Sequence, residues 1–233
     1  MQSMKRSWLI DMLLLALSAS AITQAAAPAA VSQTDALAGL KTALTQAATA
    51  AVASLGKPDG FLGNPEVHIP LPGKLQDAQK FLNMVGLGSQ ADELEQTMNR
   101  AAEAAVPEAR TMLVDAVKQM SVQDARSVLT GGDDAGTQYF RRVTQEKLSA
   151  RFLPIVRQST QKLQLASQYN SLAAQAGKYG LVDARDTSVE SYVTAKALDG
   201  LYLMMAREEK AIRQDPLGQA SALLRKVFGS LQR

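Results

Sequence analysis

The chain has 233 residues, 46% of them apolar and 20% charged, and a formal net charge of +3. That is enough for one domain with a real core, and too apolar for a disordered chain. There is no cysteine and one histidine, which excludes disulfides, thiol chemistry and a zinc site built on several His or Cys ligands. The near balance of charge argues against nucleic acid, which asks for a concentrated basic face.

The N-terminus reads as an export signal. Lys5 and Arg6 precede "MLLLALSASAI" (12–22), an apolar run too short to span a bilayer, and small residues follow in "TQAAAPAA". Residues 1–27 are assigned to a signal peptide, with cleavage near 25–29, residues 28–33 to a linker and residues 34–233 to a single domain. Asp11, at the edge of the apolar run, fits this pattern less well. Without a cysteine the exported protein is no lipoprotein. The expected location is therefore the periplasm, with no transmembrane segment after cleavage.

Further along, Leu37, Leu40, Leu44, Ala47, Ala48, Ala51 and Leu55 recur at three- and four-residue spacing, which predicts a helix from Thr34 to Leu55. Gly56 ends it, and the Gly/Pro-rich residues 57–73 predict an extended strap. In it Val67, Ile69 and Leu71 alternate with Glu66, His68 and Pro70, so the aliphatics should pack and His68 should face solvent. "GKLQDAQKFLNMVG" predicts a helix with Leu75, Ala78, Phe81, Leu82 and Val85 inward. Ser89 with Asp92 resembles a capping box, Pro107 suits the first position of the next helix, and Ser121 with Asp124 forms another box-like start.

After Gly131-Gly132, Asp133 or Asp134 should cap the longest central helix. Tyr139, Phe140, Val143, Leu148, Phe152, Ile155 and Val156 line its apolar face, and Pro154 should kink or divide it. A helix over "QLASQYNSLAAQAGKYG", a loop near 177–187 and a helix from Ser188 to Arg213 follow. The last of these has Val189, Tyr192, Val193, Leu201, Tyr202, Met205 and Ile212 inward. Asp215-Pro216 starts a final helix with Leu217, Leu223, Leu224, Val227 and Phe228 in the core. The predicted fold is all-α, a single bundle of about eight to ten short helices crossed by one Pro-rich strap.

No constellation specifies a reaction. There is no G-x-S-x-G elbow, Walker or dinucleotide loop, H-E-x-x-H motif or EF-hand, so no catalytic residue, metal or cofactor is assigned. In "TQYFRR" (137–142), Tyr139, Arg141 and Arg142 could grip an anionic group, because stacking steadies a guanidinium plane. The blander alternative makes the rings core, pairs Arg142 with Glu146 and leaves Arg141 solvated. Arg100 and Glu103 lie one turn apart among alanines, either as a surface bridge or buried between helices. Lys196 and Asp199 share an apolar stretch with Gly200, which would let another backbone approach closely. Tyr139, Arg141, Arg142, Arg100 and Lys196 are the candidate ligand-binding residues.

"LGKPDGFLGNPEVHIPLPGKL", "MNRAAEAAVPEA", "DDAGTQYFRR" and "YVTAKALDGLYLMMAREEKAIR" together resemble a bacterial family, domain of unknown function 4197. The likeness runs from about residue 36 to 229. It implies an exported, helical envelope protein and brings no catalytic residue with it. The family pattern implies lysine at the position of His68, so imidazole chemistry there is not what the family uses. Gly136, where alanine would suit a helix better, is a second departure. The expected function is a periplasmic binding or scaffold protein for a lipid, acyl chain or envelope partner. The alternatives are a purely structural interaction module and an unrecognised hydrolase.

Overall fold

Alanine decides how the first helix packs. In the computed structural model α1 spans Gln33–Leu55, and Ala43, Ala47, Ala48 and Ala51 are buried beside Leu40, Leu44 and Leu55. A face of methyl groups lets neighbouring helices approach closely. The structure describes residues 33–77, 83–84, 86, 88–164, 166–171 and 188–215. The chain falls into two units, Met1–Ala30 and Val31–Arg233; the first lies outside the described residues, and every helix named belongs to the second. The signal segment, the residues Ala78, Phe81, Leu82 and Val85, the loop 177–187 and the helix after Pro216 also lie outside the described residues.

Among the described residues the protein is all-helical, without strands. The one-turn α2 (Gly73–Asp77) is followed by α3 (Gly88–Ala105), a 3-10 turn (Val106–Glu108), α4 (Ala109–Gln119) and α5 (Val122–Thr130), then by the long α6 (Ala135–Thr160) and α7 (Val189–Gln214). Three helices of 23 to 26 residues therefore dominate, so the bundle is not made of short helices alone. Pro107 lies in the 3-10 turn and not at the first position of α4. Ser121 caps α5 as its pattern predicts, its Oγ accepting the Asp124 N–H at 3.0 Å.

The two long helices α6 and α7 form the frame. They run antiparallel, tied at one end by Gly136 to Glu209, in the middle by Thr144 to Tyr202, and at the other end by Thr160 to Glu190. The alanine-rich α1 packs on α7 and on α4, and α3 packs on α6 and α7. Phe140, Leu148, Phe152 and Val156 of α6 meet Val193, Leu201, Tyr202 and Met205 of α7 in the core. Val143 is the exception on α6, 36% exposed although its spacing placed it inward. Pro154 does not divide α6, whose helical hydrogen bonding resumes beyond it to Thr160. Proline costs one carbonyl partner there, and flanking turns anchored by buried Phe152 and Val156 hold the helix together.

Between Leu55 and Gly73 the chain is a series of turns followed by a run without regular secondary structure. Phe61, Val67, Ile69 and Leu71 are all buried, whereas Glu66 is exposed and His68 and Pro70 are half-buried. Gly200 makes room for this segment: a Cβ there would stand 2.8 Å from Phe61 Cε1 and 3.2 Å from Val67 Cβ. Side chains, not a neighbouring backbone, fill the space that the missing Cβ leaves.

Candidate functional site

The polar residues inside the bundle mostly close helix ends and turns belonging to other elements. Asn99 on α3 grips the segment 57–72, its Oδ1 accepting the Ile69 N–H at 2.9 Å and its Nδ2 donating to Ile69 O at 2.9 Å. One turn on, Glu103 Oε1 accepts the N–H groups of Phe61 and Leu62, both at 3.1 Å. Arg100 donates to Glu103 Oε2 and to Asp59 Oδ1, each at 2.8 Å. Asp59 itself has a positive φ of 63°, in the left-handed region that Asp tolerates better than most residues. Arg100 and Glu103 are thus neither a plain surface bridge nor the wall of a cavity: Glu103 is buried and Arg100 covers it. The bond to Glu103 is the chief reason the Arg100 guanidinium holds its proton more tightly than usual.

Capping at the start of α6 also comes from afar. Asp134 occupies the N-cap position but makes no side-chain capping bond. Glu209 of α7 takes that role instead, accepting the N–H groups of Gly136 and Thr137 at 2.8 Å and the Thr137 hydroxyl at 2.9 Å. Four N–H groups at a helix start lack intrahelical partners, and a buried carboxylate satisfies two of them here. Arg213 pairs with Glu209 at 2.7 Å and donates to Val128 O at the end of α5.

Tyr139, expected beside a ligand, is another such closure. Its hydroxyl donates at 2.8 Å to Ala116 O, one of the last four carbonyls of α4. Arg142 lies over its ring at 5.4 Å and bonds Asp124 at 2.9 Å, not Glu146. Arg141 is not simply solvated: it stacks on Tyr202 at 4.7 Å and pairs with Asp199 at 3.0 Å. Lys196 Nζ stands 5.7 Å from the Tyr192 ring. The five candidates are thus spread over α3, α6 and α7, and the three arginines are already neutralised by carboxylates of the same chain. Burial raises the pKa of both Tyr139 and Tyr202. For Tyr139 the Asp124 charge adds to this and Arg142 opposes it; for Tyr202 the Thr144 hydrogen bond and Arg141 oppose. His68 is not fully turned to solvent, because its Nε2 faces Glu95 Oε1 of α3 at 3.3 Å.

An open cleft of about 530 Å³ runs along the outer seam of α6 and α7. Ala150, Leu153, Ala195 and Leu198 supply its apolar lining, and Glu146 and Asp199 stand at the same level of the antiparallel pair. None of the five candidate residues lines it. Among the described residues no group of three His, Asp or Glu side chains could hold a metal ion, and no helix is long and apolar enough to cross a membrane.

The buried threonine in "YVTAK", Thr194, also lines this cleft and was missed in the sequence, because one hydroxyl on a helix carries no motif. Glu209 was missed for a related reason: nothing in "REEK" tells a capping glutamate from a solvated one.

No curated protein and no solved structure matches the chain. A family described as protein of unknown function (DUF4197) matches residues 30–229, a range that takes in every described residue. With the four sequence motifs placed on the turns 56–72 and on α2, α3, α6 and α7, the chain belongs to the DUF4197 family.

Proposed function

We propose that the protein is a non-catalytic binding or scaffold protein of the bacterial envelope, exported to the periplasm and working through its surface. The observation that carries this reading is the cleft between α6 and α7: it is open, of a volume that suits a small ligand or a short stretch of polymer, and has an apolar lining with polar groups. The buried carboxylates support the non-catalytic part. Glu103 and Glu209 are occupied by backbone N–H groups, and Glu190 accepts from Thr160 at 3.0 Å and Asn170 at 2.9 Å. Each is tied up in a structural hydrogen bond, and none is poised as an acid or base. An anionic lipid head held by Arg141, Arg142 or Arg100 is a weaker version of the idea, since each arginine would first have to leave a carboxylate.

A pure interaction module acting through residues 57–73 is also weaker, because the apolar side of that segment is turned into the bundle. Native mass spectrometry of the protein recovered from a periplasmic fraction tests the reading. The expected result is a chain shortened at 25–29 that carries a bound molecule or partner, lost on substituting Ala150 by Trp. An uncleaved cytosolic chain, or a cleaved one that retains nothing from cells or envelope extracts, overturns it.

A further inference from the structure

Two features of the cleft bear on the chemistry of its ligand. The first is a buried hydroxyl with no partner. Thr194 is 2% exposed, and its Oγ1 makes no hydrogen bond among the described residues. Buried hydroxyls are nearly always satisfied, in helices commonly by the carbonyl four residues back, as Thr144 and Thr160 are here. A threonine in a helix has two accessible χ1 rotamers, and the choice between them decides whether hydroxyl or methyl meets an occupant.

The second feature is polarity along the seam. Glu146 and Asp199 mark one end, and among the described residues no basic side chain lines the cleft of a chain that is basic overall. Arg141, bonded to Asp199, is held against Tyr202 at that end. Glu146 is exposed and makes no ion pair among the described residues. Gln145, Ser149 and Ser191 add an amide and two hydroxyls, groups that both donate and accept, as a peptide backbone requires. Asp199 lies five residues from Thr194 on α7 and Glu146 stands at the level of Asp199, so the acidic end and the orphan hydroxyl are about 7–8 Å apart along the seam. A lysine side chain places its ammonium at a similar distance from its own peptide group.

We infer that the α6–α7 cleft receives a lysine side chain of an extended peptide segment. The ammonium goes to Glu146 at the Asp199 end, the methylenes lie on Ala150, Leu153, Ala195 and Leu198, and the peptide group meets Thr194. This rests on the surface-binding reading above and names the chemistry of its ligand.

The test is an amide-resonance titration of the full chain with Nα-acetyl-lysine methylamide. Two comparisons dissect the ligand: the norleucine analogue lacks the ammonium, and n-hexylammonium lacks the peptide group. The lysine derivative should shift resonances of α6 and α7 around the cleft and bind at least about tenfold more tightly than either. Glu146→Gln should weaken it. Thr194→Val should weaken it without lowering the melting temperature, since the substitution removes an unsatisfied group; that pair of results separates a ligand contact from a structural role. Ala150→Trp, an exposed position that should fold, should abolish binding. Equal binding of the norleucine analogue, shifts that persist in Ala150→Trp, or no shift at millimolar ligand would each overturn the inference. If the lysine derivative fails while cell-derived material is still lost in Ala150→Trp, the lysine assignment falls and surface binding stands; if both fail, both fall.

Discussion

Glu209 caps α6 from seventy-three residues away, its Oε1 accepting the Gly136 N–H at 2.8 Å. The glycine is part of the arrangement. A Cβ at position 136 would run into Leu44 Cδ2 of α1 and stand 2.9 Å from Glu209 Oε1. What looked like a helix-weakening departure is the spot where α1, α6 and α7 converge.

Gly136→Ala should therefore destabilise the fold, by about 1–3 kcal/mol for overpacking, although alanine is the better helix former. Glu209→Ala should cost more, about 3–5 kcal/mol, because it removes the buried carboxylate that pairs with Arg213 and leaves two N–H groups without an acceptor. Urea unfolding of both variants measures this. A stabilised Gly136→Ala variant would show that the backbone here gives way easily and that the close approach is not limiting.

The segment 57–72 should come loose when its α3 clasp is removed. Asn99 satisfies both backbone groups of Ile69 and is itself fully buried. Asn99→Leu leaves that N–H and C=O unpaired in the core, at about 2–4 kcal/mol in total. Ile69→Asp buries a charge where a fully enclosed aliphatic stood and should cost at least the loss of the side chain, about 2–5 kcal/mol. His68→Lys, on the half-exposed side, should stay within about 0.5 kcal/mol. Hydrogen exchange at the Ile69 amide would report the loosening directly, and unchanged protection in Asn99→Leu would refute the clasp.

Within the Arg100–Glu103 pair the two residues should be unequal. Glu103 is 6% exposed and holds two backbone N–H groups, whereas Arg100 is 40% exposed. Glu103→Ala should cost about 2–3 kcal/mol and Arg100→Ala clearly less, since a screened outer partner contributes little. Thermal melts of the two single variants decide this; equal losses would mean that the ion pair, not the backbone grip, holds the turn.

These clasps explain what could and could not be read from the sequence. Periodicity placed α1 and α7 to within a residue, because burial of one helix face repeats along the chain: Leu40, Leu44, Ala47, Ala51 and Leu55 are all inward. The alternation of Val67, Ile69 and Leu71 was legible for the same reason. Capping across the bundle repeats nowhere. Asp134 is the residue local rules choose for α6, and Glu209 takes the role because tertiary packing brings it there. Tyr139 and Arg142 drew attention as rings beside guanidinium groups, and they do touch, but as a lid over the end of α4. The cleft with Thr194 was illegible because its lining mixes small, aliphatic and polar residues of α6 and α7 that mean something only when the two helices face each other.

Alkaline pH should expose the two buried tyrosines. Tyr139 and Tyr202 both have pKa values raised above the usual 10.0, chiefly by burial. A raised value means that the folded chain holds the phenolic proton more tightly than the unfolded one. The stabilisation is complete below the unfolded value of about 10 and is lost as pH rises through the folded one. Stability should thus fall above about pH 10, and phenolate absorbance should develop late for these two residues, with unfolding. Tyr202→Phe isolates the effect, because Thr144 keeps its bond to Phe140 O at 2.7 Å when the Tyr202 hydroxyl is gone. Lysines also titrate in this range, but in both proteins alike. Urea midpoints on either side of pH 10 should therefore drop less in Tyr202→Phe than in the parent chain; an equal drop would place the Tyr202 hydroxyl in an environment no different from water.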